Sequence, residues 1–183
     1  VISVKQAAGE VVEEKNLLFS GSDFEDWDAF LGSLSSHGIK DYATLAEGKG
    51  VNNSNALAIK GTPGGNDYVF SSLPNLKLPE KVSTISFMVK GKADKSLSLN
   101  VYQGGSNYKP FNVGDLGAVD SNVSEAAGNQ YGGKIDTQGK WVKVSLDVSG
   151  LKLNNTDPNS NIFALKVGRD ANYDLLVDEI TIE

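Results

Sequence analysis

Apolar residues recur at every second position along several stretches of this chain. In VSTISFMVKG (82–91) Ile85, Phe87 and Val89 fall on one side. In KSLSLNVYQGG (95–105) Leu97, Leu99 and Val101 fall on one side, and Ser98, Asn100 and Tyr102 on the other. WVKVSLDVSGL (141–151) repeats the pattern with Val142, Val144, Leu146 and Val148, and NALAIKG (55–61) with Leu57 and Ile59 against Ala58 and Lys60. A period of two is that of a half-buried β-strand. Shorter apolar runs read as further strands: NLLFS (16–20), Tyr42 to Ala46, YVFSSL (68–73), NIFALKVGR (161–169) and LLVDEITIE (175–183). Helical periodicity is confined to DWDAFLGSL (26–34), which predicts one short turn capped by Asp26 or Asp28.

Gly, Asn, Ser and Pro clusters such as TPGGND (62–67) and LKLNNTDPNSN (151–161) separate these runs. About nine strands with little helix predict an all-β fold, a two-sheet antiparallel β-sandwich. The Cys–Trp–Cys framework of immunoglobulin domains is absent and the connections are long, which favours a jelly roll. Residues 1–15 mix charges and apolar residues without turn signals and read as an N-terminal linker or an extra edge strand. Residues 16–183 read as a single jelly-roll domain. The Gly/Asn/Ser-rich stretch 103–139 carries only weak strand signals, near YKPFNVG and YGGKI. A connection that long usually has a function or hides strands.

Composition then narrows the function. The 183 residues are 39% hydrophobic, enough for a core, and the net charge is -6. Binding nucleic acid non-specifically requires Lys and Arg to displace phosphate counterions, so a nucleic-acid partner is not expected. An acidic membrane surface is disfavoured for the same reason. With no cysteine, thiolate zinc, disulfides and thiol catalysis are excluded. No apolar run approaches the roughly 20 residues of a transmembrane helix.

The last apolar run raises a question, because Asp178 and Glu179 stand side by side within it. They are candidates for catalytic acids, metal ligands or solvated edge residues. A β-sandwich glycosidase of the laminarinase type places three acids on one face of a strand, as its paired carboxylates require. Here Glu179 and Glu183 have that spacing, but Thr181 occupies the central position. The one histidine, His37, lies in the loop-like SSHGIK, without the clustered partners of a jelly-roll lyase. EGKG (47–50) is not a phosphate loop, since no Gly-Lys-Ser/Thr follows. The expectation is therefore a protein that is not an enzyme.

Four stretches together resemble bacterial carbohydrate-binding modules of the jelly-roll, galactose-binding-like type. They are NLLFSGSDFEDW, GKGVNNSNALAIKG, the pair VSTISFMVKG and KSLSLNVYQGG, and GKWVKVSLDVSGL followed by LLVDEITIE. The resemblance spans Asn16 to Glu183. It implies a non-catalytic, exported domain, extracellular or at the bacterial surface, that binds oligo- or polysaccharide and is tethered or part of a larger glycan-degrading system. The alternative is a structural or adhesive surface domain that keeps the fold without the sugar site.

The resemblance also implies a structural calcium at one rim of the sandwich. Carried over residue by residue, the ligands are Glu25, Asp178 and the turn of Glu47, Lys49 and Gly50, the turn acting through backbone carbonyls. Calcium takes about six to eight hard oxygens, which such a set can supply. For sugar, such modules stack aromatic faces on pyranose rings and hydrogen-bond the hydroxyls with planar polar side chains. Phe19, Phe24, Phe70, Phe87 and Phe163 lie in core-like settings, which leaves tyrosines. Tyr102, Tyr108 and Tyr131 are the expected platforms, with Asn100, Gln103 and Arg169 as hydrogen-bonding partners for a neutral glycan.

Overall fold

The alternating stretches all become strands, and their pairing sets two layers. In a computed structural model, which describes residues 16–183, the elements follow in the order α1 (Trp27–Gly32), β1 (Ala43–Ala46), β2 (Ala56–Gly61), β3 (Asp67–Ser72), β4 (Thr84–Ala93), β5 (Leu97–Gly104), β6 (Asn107–Val113), β7 (Ser121–Val123), β8 (Ile135–Asp136), β9 (Val142–Asp147), β10 (Phe163–Val167) and β11 (Tyr173–Ile182). One sheet runs β1-β2-β11-β4-β9-β7, with β8 also pairing β4. The other runs β3-β10-β5-β6. Every pairing is antiparallel except β7 with β9. The expected β-sandwich is the observed fold. The first fifteen residues, with the expected linker or edge strand, lie outside the described residues.

The core sits between the layers. Ile85, Phe87 and Val89 of β4 lie opposite Leu146, Val144 and Val142 of β9. They face Leu97, Leu99 and Val101 of β5 and Phe163, Leu165 and Val167 of β10, and all of these are buried. Burying each such side chain contributes about 1.5–3 kcal/mol. A phenylalanine cluster closes one end: Phe70 meets Phe30 edge-on at 5.1 Å and also packs on Phe19 and Phe163. Helix α1 delivers Phe30 to this cluster. Its cap is Asp26, whose side chain accepts the Ala29 N–H at 3.0 Å, satisfying a donor the helix start leaves free.

Two segments depart from the sequence reading. NLLFS does not form a strand: Leu17 makes one isolated bridge with Thr181 and the chain then turns. Leu18 and Phe19 are both fully buried. After that bridge the backbone leaves the sheet, the Ser22 N–H donating to the Phe19 carbonyl in a turn. The stretch 103–139 contains three strands, β6, β7 and β8, rather than one long connection.

Two features position the sites. First, the outer face of the small sheet is covered. All five residues of β10 are buried, and so are Leu97–Tyr102 of β5. Second, β11 slips by one residue at its centre. The register with β4 breaks between Asp178 and Thr181, and Glu179 takes φ +52°. Such a bulge re-aims side chains. Val177 faces the core, Asp178 pairs with Met88 on the opposite face, and the bulge at Glu179 returns Ile180 and Ile182 to the core. This separates the adjacent acids: the turn of residues 50–55 covers Asp178 completely, whereas Glu179 is half-exposed.

Candidate functional site

The covered outer face of the small sheet carries the first candidate site. Strand alternation sends Leu99 and Val101 to the core and Ser98, Asn100 and Tyr102 outward. Across the sheet Lys166 lies beside Ser98 and Tyr68, Ala164 beside Asn100, and Tyr102 beside Tyr108. The Tyr102 and Tyr108 rings stand 5.6 Å apart. Tyr131, from the segment after β7, joins them. The Lys166 ammonium lies 5.6 Å from the Tyr68 ring centre and 5.9 Å from those of Tyr108 and Tyr131. It donates to Asn129 Oδ1, and Asn129 Nδ2 donates to the Tyr108 hydroxyl at 2.9 Å. Three aromatic faces and one amide thus hold a cation that is 1% exposed. Burial pushes its pKa down to about 8.

Beside this box a cavity of about 330 Å³ lies between Tyr68 and Tyr102 on one side and His37, Lys40 and Asn161 on the other. It opens into a wider groove of about 650 Å³ that reaches Tyr108 and Ser160. Tyr68 is 42% exposed, so its ring is a reachable platform. Burial raises the pKa of Tyr68 and of Tyr131, which keeps their hydroxyls neutral donors. At the rim Lys40 pairs with Asp67 at 2.6 Å, and Asp67 also accepts the Tyr42 hydroxyl at 2.9 Å. Burial opposes the charge on Asp67, but the bonds from Lys40 and Tyr42 outweigh it and hold the carboxyl below its usual range.

Three buried side-chain oxygens among the described residues have no hydrogen-bond partner: Ser35 Oγ, Ser98 Oγ and Asn100 Oδ1. All three belong here. Ser35 lines the groove, Asn100 donates to the Tyr68 and Tyr102 hydroxyls, and Ser98 pairs in register with Lys166. An unpaired buried polar atom costs about 1–3 kcal/mol; Ser35 is in the groove lining, while Ser98 and Asn100 are fully buried beneath its tyrosines.

Of the expected sugar residues, the structure gathers Tyr102, Asn100, Tyr108 and Tyr131 on this face. Tyr102 is only 7% exposed and acts as a wall rather than an open platform. Gln103 and Arg169 contribute elsewhere. Gln103 accepts the Lys152 N–H, and Arg169 lies against Asp170 at 3.6 Å with its carbonyl taken by Lys95. Lys166, Asn129 and Tyr68 are not among the sugar residues expected from the sequence. Lys166 sits at an outward position of NIFALKVGR, where a solvated lysine is the ordinary expectation. Only the covering segment makes it exceptional.

The second candidate site joins the two ends of the domain. Asp178 Oδ2 accepts the Val51 N–H at 2.9 Å and the Ser54 hydroxyl at 3.1 Å, and Oδ1 accepts the Glu179 N–H at 2.7 Å. Glu25 Oε2 accepts the Asn55 N–H at 3.0 Å from the other side of the same turn. Glu25 and Asp178 therefore converge on one turn, residues 50–55. A Cβ on Gly50 would lie 2.6 Å from both Asp178 Oδ2 and the Asn55 carbonyl, and 2.7 Å from Ser54 Oγ. Three oxygens thus gather where only glycine leaves room. Glu47 and Lys49 are exposed on the approach to Gly50. Of the six non-glycine residues with positive φ among the described residues, four cluster here, namely Phe24, Asn52, Asn53 and Glu179. Such conformations cost energy and collect at functional junctions. Burial is the main reason the Asp178 carboxyl is pushed up to about 6, since its hydrogen-bond donors are neutral groups. Among the described residues no cluster of three or more His, Asp or Glu side chains forms.

No protein-family model matches the chain, and no curated protein matches it by sequence. Among solved structures, it is similar to the CBM22-1–GH10 modules of the N-terminal endo-1,4-β-D-xylanase 10B of Clostridium thermocellum, complexed with xylohexaose, at 15% identity and a TM-score of 0.40. That likeness covers 79% of this chain and 25% of the xylanase chain, so this chain spans about a quarter of the length of that structure. No helix among the described residues is long and apolar enough to cross a membrane.

Proposed function

We propose that this protein is a non-catalytic carbohydrate-binding domain whose binding surface is the tyrosine-lined groove over the small sheet. The observation that carries the reading is the lining of one groove by Tyr68, Tyr102 and Tyr108 together with Ser35, Asn159 and Asn161. Aromatic rings meet the apolar C–H face of a pyranose, and the serine and asparagine side chains hydrogen-bond its hydroxyls. Each stacking contact contributes roughly 0.5–1.5 kcal/mol beyond burial, by analogy with aromatic pairs. Two or three contacts with hydrogen bonds give about -4 to -8 kcal/mol, a millimolar to micromolar affinity. Retention in affinity gels cast with soluble polysaccharides tests the reading. Retention that Tyr68→Ala weakens supports it, and no retention by any polysaccharide refutes it.

We further propose that calcium stabilises the junction of Glu25, Asp178 and the 50–55 turn. The donor set fits a hard cation. It offers two carboxylates, the Asn55 carbonyl and the Ser54 hydroxyl, and the groups that donate to the buried Asp178 carboxylate, the Val51 and Glu179 N–H and the Ser54 hydroxyl, are neutral. The exposed Glu47–Gly50 stretch would add backbone oxygens. Bound there, calcium would supply the positive charge that the Asp178 carboxylate lacks. The chain's own part is to hold the two carboxylates on one turn, and that tie fixes the start of the domain to its last strand.

A further inference from the structure

The groove is lined without a carboxylate. The protein is acidic, with 23 Asp and Glu against 17 Lys and Arg. Yet neither the cavity nor the wider groove is lined by any Asp or Glu, while both carry His37 and the cavity adds Lys40. The Lys40 charge is balanced by Asp67. Lys166 is not balanced: among the described residues its partners are the Asn129 amide and three tyrosine rings. Buried ammonium groups are normally paired with a carboxylate, because desolvating the charge is costly. Here the uncompensated cation stands directly behind Tyr68 and Tyr108, the same rings that wall the groove, with Ser98 Oγ unpaired on the neighbouring strand.

We propose that the groove selects a glycan bearing carboxylates, a uronate-containing polysaccharide, and that Lys166 supplies the selectivity. This rests on the carbohydrate-binding reading above and departs from the neutral glycan expected of the sequence. A sugar ring stacked on Tyr68 lies across that ring from the Lys166 ammonium, which is 5.6 Å from the ring centre, so its carboxylate is attracted through the ring rather than by direct contact. Low-dielectric surroundings keep that attraction from being screened as it would be in water. The missing acids do the complementary work, since no carboxylate on the groove wall repels the ligand.

The test uses matched polysaccharides: polygalacturonate, glucuronoxylan and alginate, each beside its carboxyl-reduced form, in which CH2OH replaces the carboxylate on the same backbone. Affinity-gel retention and titration calorimetry report binding. The expected result is that at least one uronate polymer binds roughly tenfold more tightly than its reduced form, and that this preference shrinks as salt rises. Lys166→Met should abolish the preference, bringing the ratio of the two affinities to about one. Asn129→Asp places a carboxylate on Lys166 within the protein and should abolish the preference in the same way; it adds an ion pair, so it keeps the inference testable should Lys166→Met misfold. Reduced forms bound as tightly as the acidic ones by the unaltered protein would overturn the inference and leave the carbohydrate reading standing. So would an undiminished preference in a folded Lys166→Met or Asn129→Asp protein. Failure to bind either form of any polymer would instead overturn the carbohydrate reading itself.

Discussion

Asp178 and Val51 are 127 positions apart, and the carboxylate of one accepts the backbone N–H of the other at 2.9 Å. The contact ties the last strand to the turn that precedes β2, and that turn covers Asp178 on the face away from the core. A carboxylate in this setting is satisfied as an acceptor but not as a charge, and that difference governs how the junction responds to protons and cations.

The proton response has a definite sign. The Asp178 pKa is raised from 3.8 to about 6 in the folded protein, mainly by burial. The folded state therefore holds a proton that the unfolded chain releases earlier. This group's contribution is most favourable below the unfolded value of 3.8 and is lost as pH rises to about 6. Urea unfolding in EDTA between those limits should show stability falling with pH by more in the parent protein than in Asp178→Asn. Parallel curves would mean that Asp178 does not titrate in this range.

Calcium should reverse that penalty. Adding it to metal-free protein should raise the melting temperature by several degrees, roughly the shift expected of 1–2 kcal/mol. EDTA should undo the rise, and Asp178→Asn and Glu25→Gln should blunt it. A melting curve indifferent to calcium in the parent protein would count against the metal at this junction.

Gly50 offers a test that needs no ligand. Gly50→Ala would push a methyl group against Asp178 Oδ2, Ser54 Oγ and the Asn55 carbonyl. The expected loss is about 2–4 kcal/mol, in the range of overpacked and broken polar sites. Gly64→Ala, where an added Cβ meets nothing within 4 Å, is the control and should change stability little. Denaturant midpoints compare the two directly.

The tyrosines separate binding from folding. Tyr68 is 42% exposed, so Tyr68→Ala should lower polysaccharide retention about three- to tenfold, the equivalent of one stacking contact, with little loss of stability. Tyr102 is 7% exposed and packs on Tyr108, so Tyr102→Ala should lower both retention and melting temperature. Equal retention by Tyr68→Ala and the parent would place the binding face elsewhere.

Much of the fold was legible in the residues. The period-two stretches became β2, β4, β5 and β9 with the expected faces inward, and Asp26 capped the single helix. What escaped was whatever depended on another part of the chain. NLLFS has strand composition, yet the chain turns after Leu17, with the Ser22 N–H on the Phe19 carbonyl. β6 was faint because Pro110 interrupts it, although it pairs with its neighbour β5, and β8 because its two residues are completed only by the distant β4. The candidate sites divide the same way. Asn100 and Tyr102 were readable as outward-facing from alternation, whereas Tyr68, Asn129 and Lys166 come from separate elements.

By itself, then, the order of residues determined which side chains each strand sends inward, because alternation is a local property of extended backbone. It also determined the absence of thiol chemistry and the acidic balance. Only the tertiary structure decided that Asp178 is buried while Glu179 is not, since Asp178 is covered by the turn of residues 50–55. Only the tertiary structure decided that Lys166 is a desolvated cation behind a tyrosine wall. Burial is a property of what covers a residue, and here the cover, Asn129 and Tyr131, arrives from more than thirty positions away in the chain.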